Sequence, residues 1–433
     1  MNAFERRGGV LHVEGVPVPE LVAAAGSPVY VYSRNHFIHQ YRALESALAG
    51  CGVRIFFAVK ANSNVSVLRL FHKLGAGFDI VSAGELQRVM AAGAAPESVV
   101  FSGVGKSVAE IDLACKLGIH SFNVESAAEL ARLGERATLL QRKVRFAVRV
   151  NPDVDAATHP YISTGLKKNK FGVPAAEARR LYQQAVGHPW LEATGIACHI
   201  GSQILQSAPL LEALDSLLNL RADLAQAGIA IPQLDLGGGF GVTYDSEPPF
   251  DLDAYGSALR SALEANRQHS SPGAETAERL SVAVEPGRFL VANGGILVTT
   301  VEYLKPAQND AGHNFAVVDA AMNDLIRPAL YQAWHRVENV CDHPDVTERH
   351  WDVVGPVCES GDFLALDRPL RVRAGDLLAV HSAGAYGMVQ ASNYNSRGRP
   401  AEVLVDGDHF EIIRRRETSE DQLRLELGTP AGK

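Results

Sequence analysis

The sequence predicts two domains, a closed parallel (β/α)8 barrel and a mainly antiparallel β-domain. From about residue 54 to residue 290, eight short apolar runs alternate with amphipathic helical segments, within the length typical of such a barrel. Beyond residue 290 the apolar runs are short and separated by turn residues, without long amphipathic helices between them. The length of 433 residues also exceeds what one hydrophobic core usually fills.

The barrel is placed at residues 35–290, and each of its strand candidates precedes a helical candidate. The strand candidates are Arg54–Val59, Phe78–Val81, Val99–Phe101, Ser121–Val124, Val144–Val150, Thr194–His199, Gln233–Leu236 and Ser281–Val284. An open doubly wound sheet has the same alternation, and it stays the alternative because closure cannot be seen in a sequence.

Capping residues and glycines mark the helix boundaries. Ser107 with Glu110, and Ser126 with Glu129, have the spacing of a capping box at a helix start. Glycine often follows the last turn of a helix, because it adopts the left-handed conformation without strain. Helices are therefore expected to end at Gly75, Gly93, Gly118 and Gly134.

The second domain is placed at residues 1–34 and 291–433. The N-terminal run Val10–Val18 is strand-like and is expected to join it. The other strand candidates are Gly295–Tyr303, Phe315–Val318, Leu370–Val372, Leu377–His381, Glu402–Val405 and His409–Ile413.

Charge and cysteine content limit the classes of partner. The net charge of -8 argues against nucleic acid and against an anionic membrane surface. No run approaches the ~20 apolar residues that span a bilayer. The 5 cysteines are few, widely spaced and odd in number, and no pair has metal-ligand spacing. This number and spacing of cysteines predicts a cytoplasmic protein that binds no metal.

Two candidates for chemistry lie at ends of barrel strands. Lys60 ends the first strand and would face the C-terminal mouth, where partial desolvation favours a neutral amine that forms imines. An ordinary solvated lysine is the alternative. The run Gly237–Gly241 follows the seventh strand, at a recurring phosphate site of this fold. A tight turn without a ligand is the other interpretation.

Further candidates follow the sixth and eighth strands. Glu285 could hold a proton on a heteroaromatic nitrogen, and Arg288 could clamp a carboxylate; an ordinary ion pair is the alternative. His199 offers a flat ring for stacking and Ser202 a hydroxyl for a phosphate, although a core histidine is equally ordinary. An imine lysine, a phosphate loop and a ring-nitrogen carboxylate in one barrel mouth are what pyridoxal 5'-phosphate requires.

The second domain adds candidates that could act on a substrate. Cys358 stands beside Glu359 in a turn-prone stretch, and a thiol can donate a proton; an inert buried cysteine is the alternative. Arg327 and Tyr331 are four apart and would share one face of a helical turn. These two, and Tyr386 in its glycine-flanked turn, could equally be ordinary surface or packing residues.

These motifs resemble the fold-type-III, alanine-racemase-like pyridoxal-phosphate enzymes, and among them the diaminopimelate decarboxylase family. The resemblance runs from about Pro28 to about Ile412, and the stretch Thr158–Gly165 is also similar to this branch. The motifs that carry it are Phe57–Asn62, His199–Gln203, Gly237–Gly241, Glu285–Arg288 and Cys358–Asp362.

The resemblance implies a cofactor site, a substrate site and a reaction. Lys60 would form the imine, Glu285 would pair with the pyridine nitrogen, and Cys358 would donate a proton in the active site of a partner subunit. The implied cofactor-binding residues are Lys60, His199, Ser202, Gly238, Gly239, Glu285, Gly287, Arg288 and Tyr386. The implied substrate-binding residues are Arg288, Arg327, Tyr331, Glu359 and Tyr386.

The implied reaction is decarboxylation of meso-2,6-diaminopimelate to L-lysine by a head-to-tail homodimer. A decarboxylase of ornithine, arginine or carboxynorspermidine is the alternative within the fold. An alanine racemase is disfavoured, because that family pairs the pyridine nitrogen with arginine rather than with a residue such as Glu285. A catalytically silent homologue that binds a partner is disfavoured by intact Lys60 and Cys358.

Overall fold

The computed structural model describes residues 3–154, 170–268, 280–308 and 312–427. The stretch Thr158–Gly165 lies outside these residues. The chain forms two compact units: a barrel unit of Tyr41–Val242 and Pro248–Phe289, and a second unit of Met1–Gln40, Thr243–Glu247 and Leu290–Lys433. The domain limits at residues 34/35 and 290/291 stay a prediction.

The N-terminal elements include a small antiparallel sheet of three strands. The predicted strand at Val10–Val18 is two short strands, because Glu14 turns the backbone with a φ of 54°. Leu11 N–H donates to the Val340 carbonyl at 2.8 Å, which joins this sheet to the rest of the second unit. The elements are β1 (Phe4–Arg7), β2 (Val10–Val13), β3 (Val16–Pro17), α1 (Val18–Ala25), β4 (Val29–Ser33) and α2 (Arg34–Ala47).

Eight parallel strands close into a barrel, which confirms the predicted architecture and rules out the open sheet. All eight predicted strands are present. The elements are β5 (Val53–Ala58), α3 (Val65–Lys73), β6 (Gly77–Ile80), α4 (Ala83–Ala91), β7 (Val99–Phe101), α5 (Val108–Leu117), β8 (Ser121–Val124), α6 (Ala127–Leu140), β9 (Val144–Arg149), α7 (Ala175–Ala185), β10 (Leu191–Ala197), α8 (Ala208–Gln226), β11 (Gln233–Asp235), α9 (Leu252–Gln268) and β12 (Ser281–Val284).

The barrel strands β6 and β8 are buried along their whole length. Parallel strands in this fold are covered by helices outside and by side chains inside, so they are mostly apolar. Polar residues within them, Asp79 and Asn123, therefore need partners inside the barrel.

One of the two predicted capping boxes forms completely. Ser107 and Glu110 exchange both hydrogen bonds at the start of α5. Ser126 accepts the N–H of Glu129, but the Glu129 carboxylate accepts the N–H of Glu125 at 3.0 Å and pairs with Lys106 at 2.6 Å. The buried ammonium of Lys106 thus redirects the carboxylate that a box would need.

The expected helix end at Gly134 is wrong. This glycine lies inside α6, which ends at Leu140 and is followed by Gln141 in the left-handed conformation. A Cβ on Gly134 would lie 3.2 Å from His188 and 3.3 Å from Leu191, so the glycine allows close packing rather than a turn. The expected ends are confirmed, with positive φ, at Gly75, Gly93 and Gly118.

The second unit contains a nine-stranded sheet that is mainly antiparallel, as predicted. Among the described strands of this sheet, only the pairs β14 (Phe315–Val318) with β16 (Arg349–Val354) and β19 (Ala401–Asp406) with β4 are parallel. The remaining elements are α10 (Arg288–Val291), β13 (Gly295–Lys305), β14 (Phe315–Val318), α11 (Arg327–Tyr331), β15 (Val337–Asn339), β16 (Arg349–Val354), β17 (Phe363–Leu370), β18 (Leu377–Val380), β19 (Ala401–Asp406), β20 (His409–Arg414) and α12 (Ser419–Leu423).

The predicted strand at Leu370–Val372 is wrong, since β17 ends where it was expected to begin. The real strand carries the exposed residues Leu366 and Asp367, which interrupt its apolar pattern. Within the described ranges, no helix has the length and apolar content to cross a membrane.

Candidate active site

Polar side chains surround the C-terminal mouth of the barrel. Each of the eight strands contributes one at or near its end. Six of these side chains are buried, and a buried polar group is stable only with a partner or a ligand. The residues are Lys60, Asp79, Ser102, Asn123, Arg149, His199, Asp235 and Glu285.

Lys60 lies in the 3-10 turn that follows β5 and forms an ion pair with Asp79. Its Nζ donates to Asp79 Oδ2 at 2.8 Å; the Lys60 side chain is 38% exposed and the Asp79 side chain 0%. Asp79 Oδ1 has no hydrogen-bond partner among the described residues. Lys60 is thus paired with a buried carboxylate, and its role as a neutral amine that forms an imine stays a prediction.

Asp235 and Glu285 form a buried carboxyl pair beside Asn123. Asn123 Nδ2 donates to Asp235 Oδ2 at 3.4 Å and to Glu285 Oε1 at 3.3 Å. Burial raises the pKa of Glu285 well above its usual range, and the charges of Asp235 and Asp79 raise it further. Burial also raises the pKa of Asp235. A cationic N–H group beside Glu285 would allow this carboxyl to ionise, so the pair fits a protonated ring nitrogen.

His199 is held as a neutral ring. Burial lowers its pKa well below the usual value, and the charge of Arg149 lowers it further. The N–H of Gly238 donates to His199 Nδ1 at 3.1 Å, so that nitrogen carries no proton. A flat, neutral imidazole with one fixed tautomer is suited to stacking on an aromatic cofactor.

The glycine run after β11 approaches its neighbours too closely for any side chain. A Cβ on Gly238 would lie 2.1 Å from the carbonyl oxygen of Glu285. Gly239 has a φ of 101°, and a Cβ there would lie 2.5 Å from the carbonyl oxygen of Gly201. Gly237, Gly238 and Gly241 donate their N–H groups to Asp235, His199 and Ile204, so a phosphate at this loop would be bound by the other backbone N–H groups of the run.

Ser202 and Arg288 add a hydroxyl and a guanidinium to the barrel unit. Arg288 Nη2 donates to Ser202 Oγ at 3.1 Å, and Arg288 is buried. Gly287 packs against the turn that carries Lys60, since a Cβ there would lie 2.9 Å from the Ala61 Cβ. Together with Lys60, the glycine loop and the carboxyl pair, these groups fit pyridoxal phosphate.

In the second unit, Arg327 and Tyr331 begin and end helix α11, so the predicted shared turn is confirmed. Arg327 is buried and Tyr331 half-buried. Arg327 Nη1 donates to His335 Nε2 at 3.0 Å, and its guanidinium carbon lies 4.8 Å from the ring centroid of Tyr244. A buried cation between two rings can bind a substrate carboxylate.

Cys358 and Glu359 lie in an exposed turn of the second unit. The interpretation of Cys358 as a buried, inert thiol is therefore wrong. The hydroxyl of Tyr394 donates to the Glu359 carboxylate. Tyr386 is half-buried with a φ of 55°, a conformation that is uncommon for a side chain of its size.

Sequence reasoning missed several polar residues of the site. Asp79 is the single polar residue of its predicted strand, and that contrast is the signal that could have identified it. Asn123 and Arg149 share their predicted strands with Ser121 and Arg145, so their signal is weaker. Tyr244 and His335 gave no comparable signal, because their contacts with Arg327 join distant parts of the sequence.

Known families match the chain over most of its length. Residues 34–292 match the family described as pyridoxal-dependent decarboxylase, pyridoxal binding domain. The chain is 53% identical over 422 residues to diaminopimelate decarboxylase of Pseudomonas aeruginosa, which covers 97% of this chain and 98% of that protein. The chain belongs to the diaminopimelate decarboxylase family. Its cofactor is therefore pyridoxal 5'-phosphate.

Solved structures of this diaminopimelate decarboxylase family share the fold. One is diaminopimelate decarboxylase from M. jannaschii in complex with L-lysine, with a TM-score of 0.91, 33% identity and coverage of 99% of this chain and 98% of that one. Another is the enzyme from Helicobacter pylori with L-lysine, with a TM-score of 0.87, 40% identity and coverage of 95% and 99%.

Proposed function

We propose that the protein decarboxylates meso-2,6-diaminopimelate to L-lysine and CO2, the last step of lysine biosynthesis. The observation that carries this proposal is the barrel mouth, where a lysine, a glycine loop and a buried carboxyl pair match the needs of pyridoxal phosphate. The near-full-length similarity to diaminopimelate decarboxylases supports the choice of substrate.

The barrel residues bind and orient the cofactor in this proposal. When bound, pyridoxal phosphate accepts the electron pair that remains when CO2 leaves. Lys60 would attach it covalently, and Asp79 would orient the lysine amine. Glu285 would hold the proton on the ring nitrogen, and His199 would stack on the ring. The phosphate would be held by Ser202, Arg288 and the backbone around Gly238, Gly239 and Gly287.

The substrate residues are assigned from charge. The distal end of diaminopimelate carries a carboxylate and an ammonium, so it needs a cation and an anion. Arg327 supplies the cation, with Arg288 and Tyr331 assisting, and Glu359 supplies the anion; Tyr386 lies against cofactor and substrate. Ornithine has only an amine at its distal end, so an ornithine decarboxylase has no use for a buried arginine there.

A panel of amino acids separates the candidate reactions. We expect purified protein with pyridoxal phosphate to release CO2 from meso-diaminopimelate at least ~100-fold more efficiently than from ornithine, arginine or carboxynorspermidine, because a site built for a charged group rejects substrates without it. Preference for another member of the panel would retain the fold and cofactor and reject the substrate.

Replacing Arg327 with alanine tests the distal site. We expect kcat/KM for meso-diaminopimelate to fall by about 100-fold, because one buried charge-assisted pair is lost. Arg349→Ala, an exposed arginine at the start of β16, is the matched control and should change little. Unchanged turnover in Arg327→Ala would reject the assignment.

A shared active site is part of the proposal. Cys358 would donate the proton to the product carbon in the site of a partner subunit. Its exposure supports this role, because a thiol that crosses to another subunit must lie at the surface of its own.

Mixed dimers of two inactive variants test this sharing. Lys60→Ala and Cys358→Ala, co-expressed in equal amounts, should regain about a quarter of the native activity, since half of the dimers then carry one intact composite site. Size-exclusion chromatography checks that dimers form. A mixture as inactive as its parents would show that each site uses the thiol of its own chain.

A further inference from the structure

Arg327 is held inside the second unit by two rings that face it from different sides. Its Nη1 donates to Nε2 of His335 at 3.0 Å, and its guanidinium carbon lies 4.8 Å from the centroid of the Tyr244 ring. The rings of Tyr244 and His335 meet edge to face, with centroids 5.5 Å apart and an interplanar angle of 81°. His335 is 0% exposed, Arg327 is 7% exposed and Tyr244 is half-buried, and the contacts between them make the three side chains one packed cluster.

The hydrogen bonds fix the protonation state of His335. A guanidinium only donates, so Nε2 must accept and carries no proton. Nδ1 lies 2.7 Å from the carbonyl oxygen of His381, which only accepts, so Nδ1 carries the proton. His335 is therefore a neutral imidazole. It binds one edge of the guanidinium and leaves the positive charge in place. A carboxylate in the same place would neutralise that charge.

We propose that His335 and Tyr244 are positioning residues that orient the Arg327 guanidinium for the distal carboxylate of the substrate. This inference rests on the proposed function and deepens it. The planar fork of an arginine binds a carboxylate well only when its rotation is restricted, and a hydrogen bond on one edge together with a ring on its face restricts it.

Binding of L-lysine and cadaverine to the holoenzyme tests the positioning role, because cadaverine lacks only the carboxylate. By calorimetry, His335→Leu should weaken L-lysine binding by about tenfold or more and change cadaverine binding by less than about twofold. His335→Gln, whose amide oxygen can replace Nε2 as acceptor, should stay within about threefold of the native affinity. The KM for meso-diaminopimelate should rise in His335→Leu while kcat changes less.

A matched control separates positioning from general damage. Trp351→Leu also removes a buried ring of the second unit, outside this cluster, and should lower stability without changing the affinity for L-lysine. If His335→Leu does not fold, His335→Asn takes its place beside His335→Gln, since its shorter amide does not reach Arg327.

The outcomes are distinct. Native affinity for L-lysine in His335→Leu, or in His335→Asn where that takes its place, would overturn the positioning role. An equal loss of affinity for L-lysine and for cadaverine would overturn it too. If the native holoenzyme binds L-lysine no better than cadaverine, the assignment of Arg327 in the proposed function fails, and the positioning role fails with it.

Discussion

Replacing Lys60 with alanine should reduce CO2 release by roughly 10⁴-fold or more, the scale of losing a covalent nucleophile. The turn after β5 presents the Lys60 amine at the barrel mouth, and Asp79 holds it there at 2.8 Å. Borohydride reduction of the native holoenzyme should fix the cofactor on the peptide that contains Lys60. The same treatment should leave the variant unlabelled.

Lys73→Ala is the matched control for this prediction. Lys73 is an exposed lysine in the last turn of α3, close to Lys60 in sequence, and its loss should change neither labelling nor rate. Labelling of any lysine other than Lys60 in the native protein would contradict the assignment.

Glu285→Gln should lower decarboxylation by roughly 100-fold or more, the scale of losing one preorganised electrostatic group. A neutral amide cannot hold a proton on the ring nitrogen, so the electron sink weakens. The absorbance spectrum of the bound cofactor should shift with the changed protonation of its ring. A native rate and a native spectrum would show that Glu285 does not contact the ring nitrogen.

The same substitution should stabilise the cofactor-free protein at alkaline pH. Burial and the charge of Asp235 raise the pKa of Glu285 in the folded state, so folding favours the protonated acid. The protonated Glu285 contributes fully to stability below the unfolded-state pKa of about 4.3. This contribution is lost as the pH rises toward the folded-state pKa of Glu285. At pH 8, Glu285→Gln should gain about 1–3 kcal/mol in the free energy of unfolding.

Urea unfolding of the cofactor-free protein at pH 5 and pH 8 measures this effect. Glu97→Gln, at an exposed position in the barrel unit, is the control and should leave the free energy of unfolding unchanged at both pH values. A Glu285→Gln protein that is less stable than the native one at pH 8 would mean that the native carboxylate has a favourable partner there.

Barrel architecture was predictable from sequence because each parallel strand is a short apolar run between turn signals. The limits of the prediction appear where tertiary contacts override local signals. Glycine often ends a helix, but Gly134 lies within one and allows close packing against His188. The Glu129 carboxylate pairs with the buried Lys106 instead of completing its capping box. The strand β17 was misplaced because it carries exposed residues in its middle.

The candidate site was predictable where its residues lie next to each other in the chain. Motifs such as Gly237–Gly241 and Glu285–Arg288 have recognisable composition at strand ends. The pairing of Lys60 with Asp79, and of Asp235 with Glu285, depends on the register of neighbouring parallel strands, β5 with β6 and β11 with β12, which local sequence does not define. The neutral state of His335 depends on two hydrogen bonds that only the folded chain defines.

CO2 release from meso-diaminopimelate by the purified holoenzyme, with L-lysine measured in the same samples, is the decisive test of the proposed reaction. The native protein should release equal amounts of CO2 and L-lysine, and Lys60→Ala should release neither product above background. A native protein that binds pyridoxal phosphate but yields no L-lysine would contradict the proposed reaction.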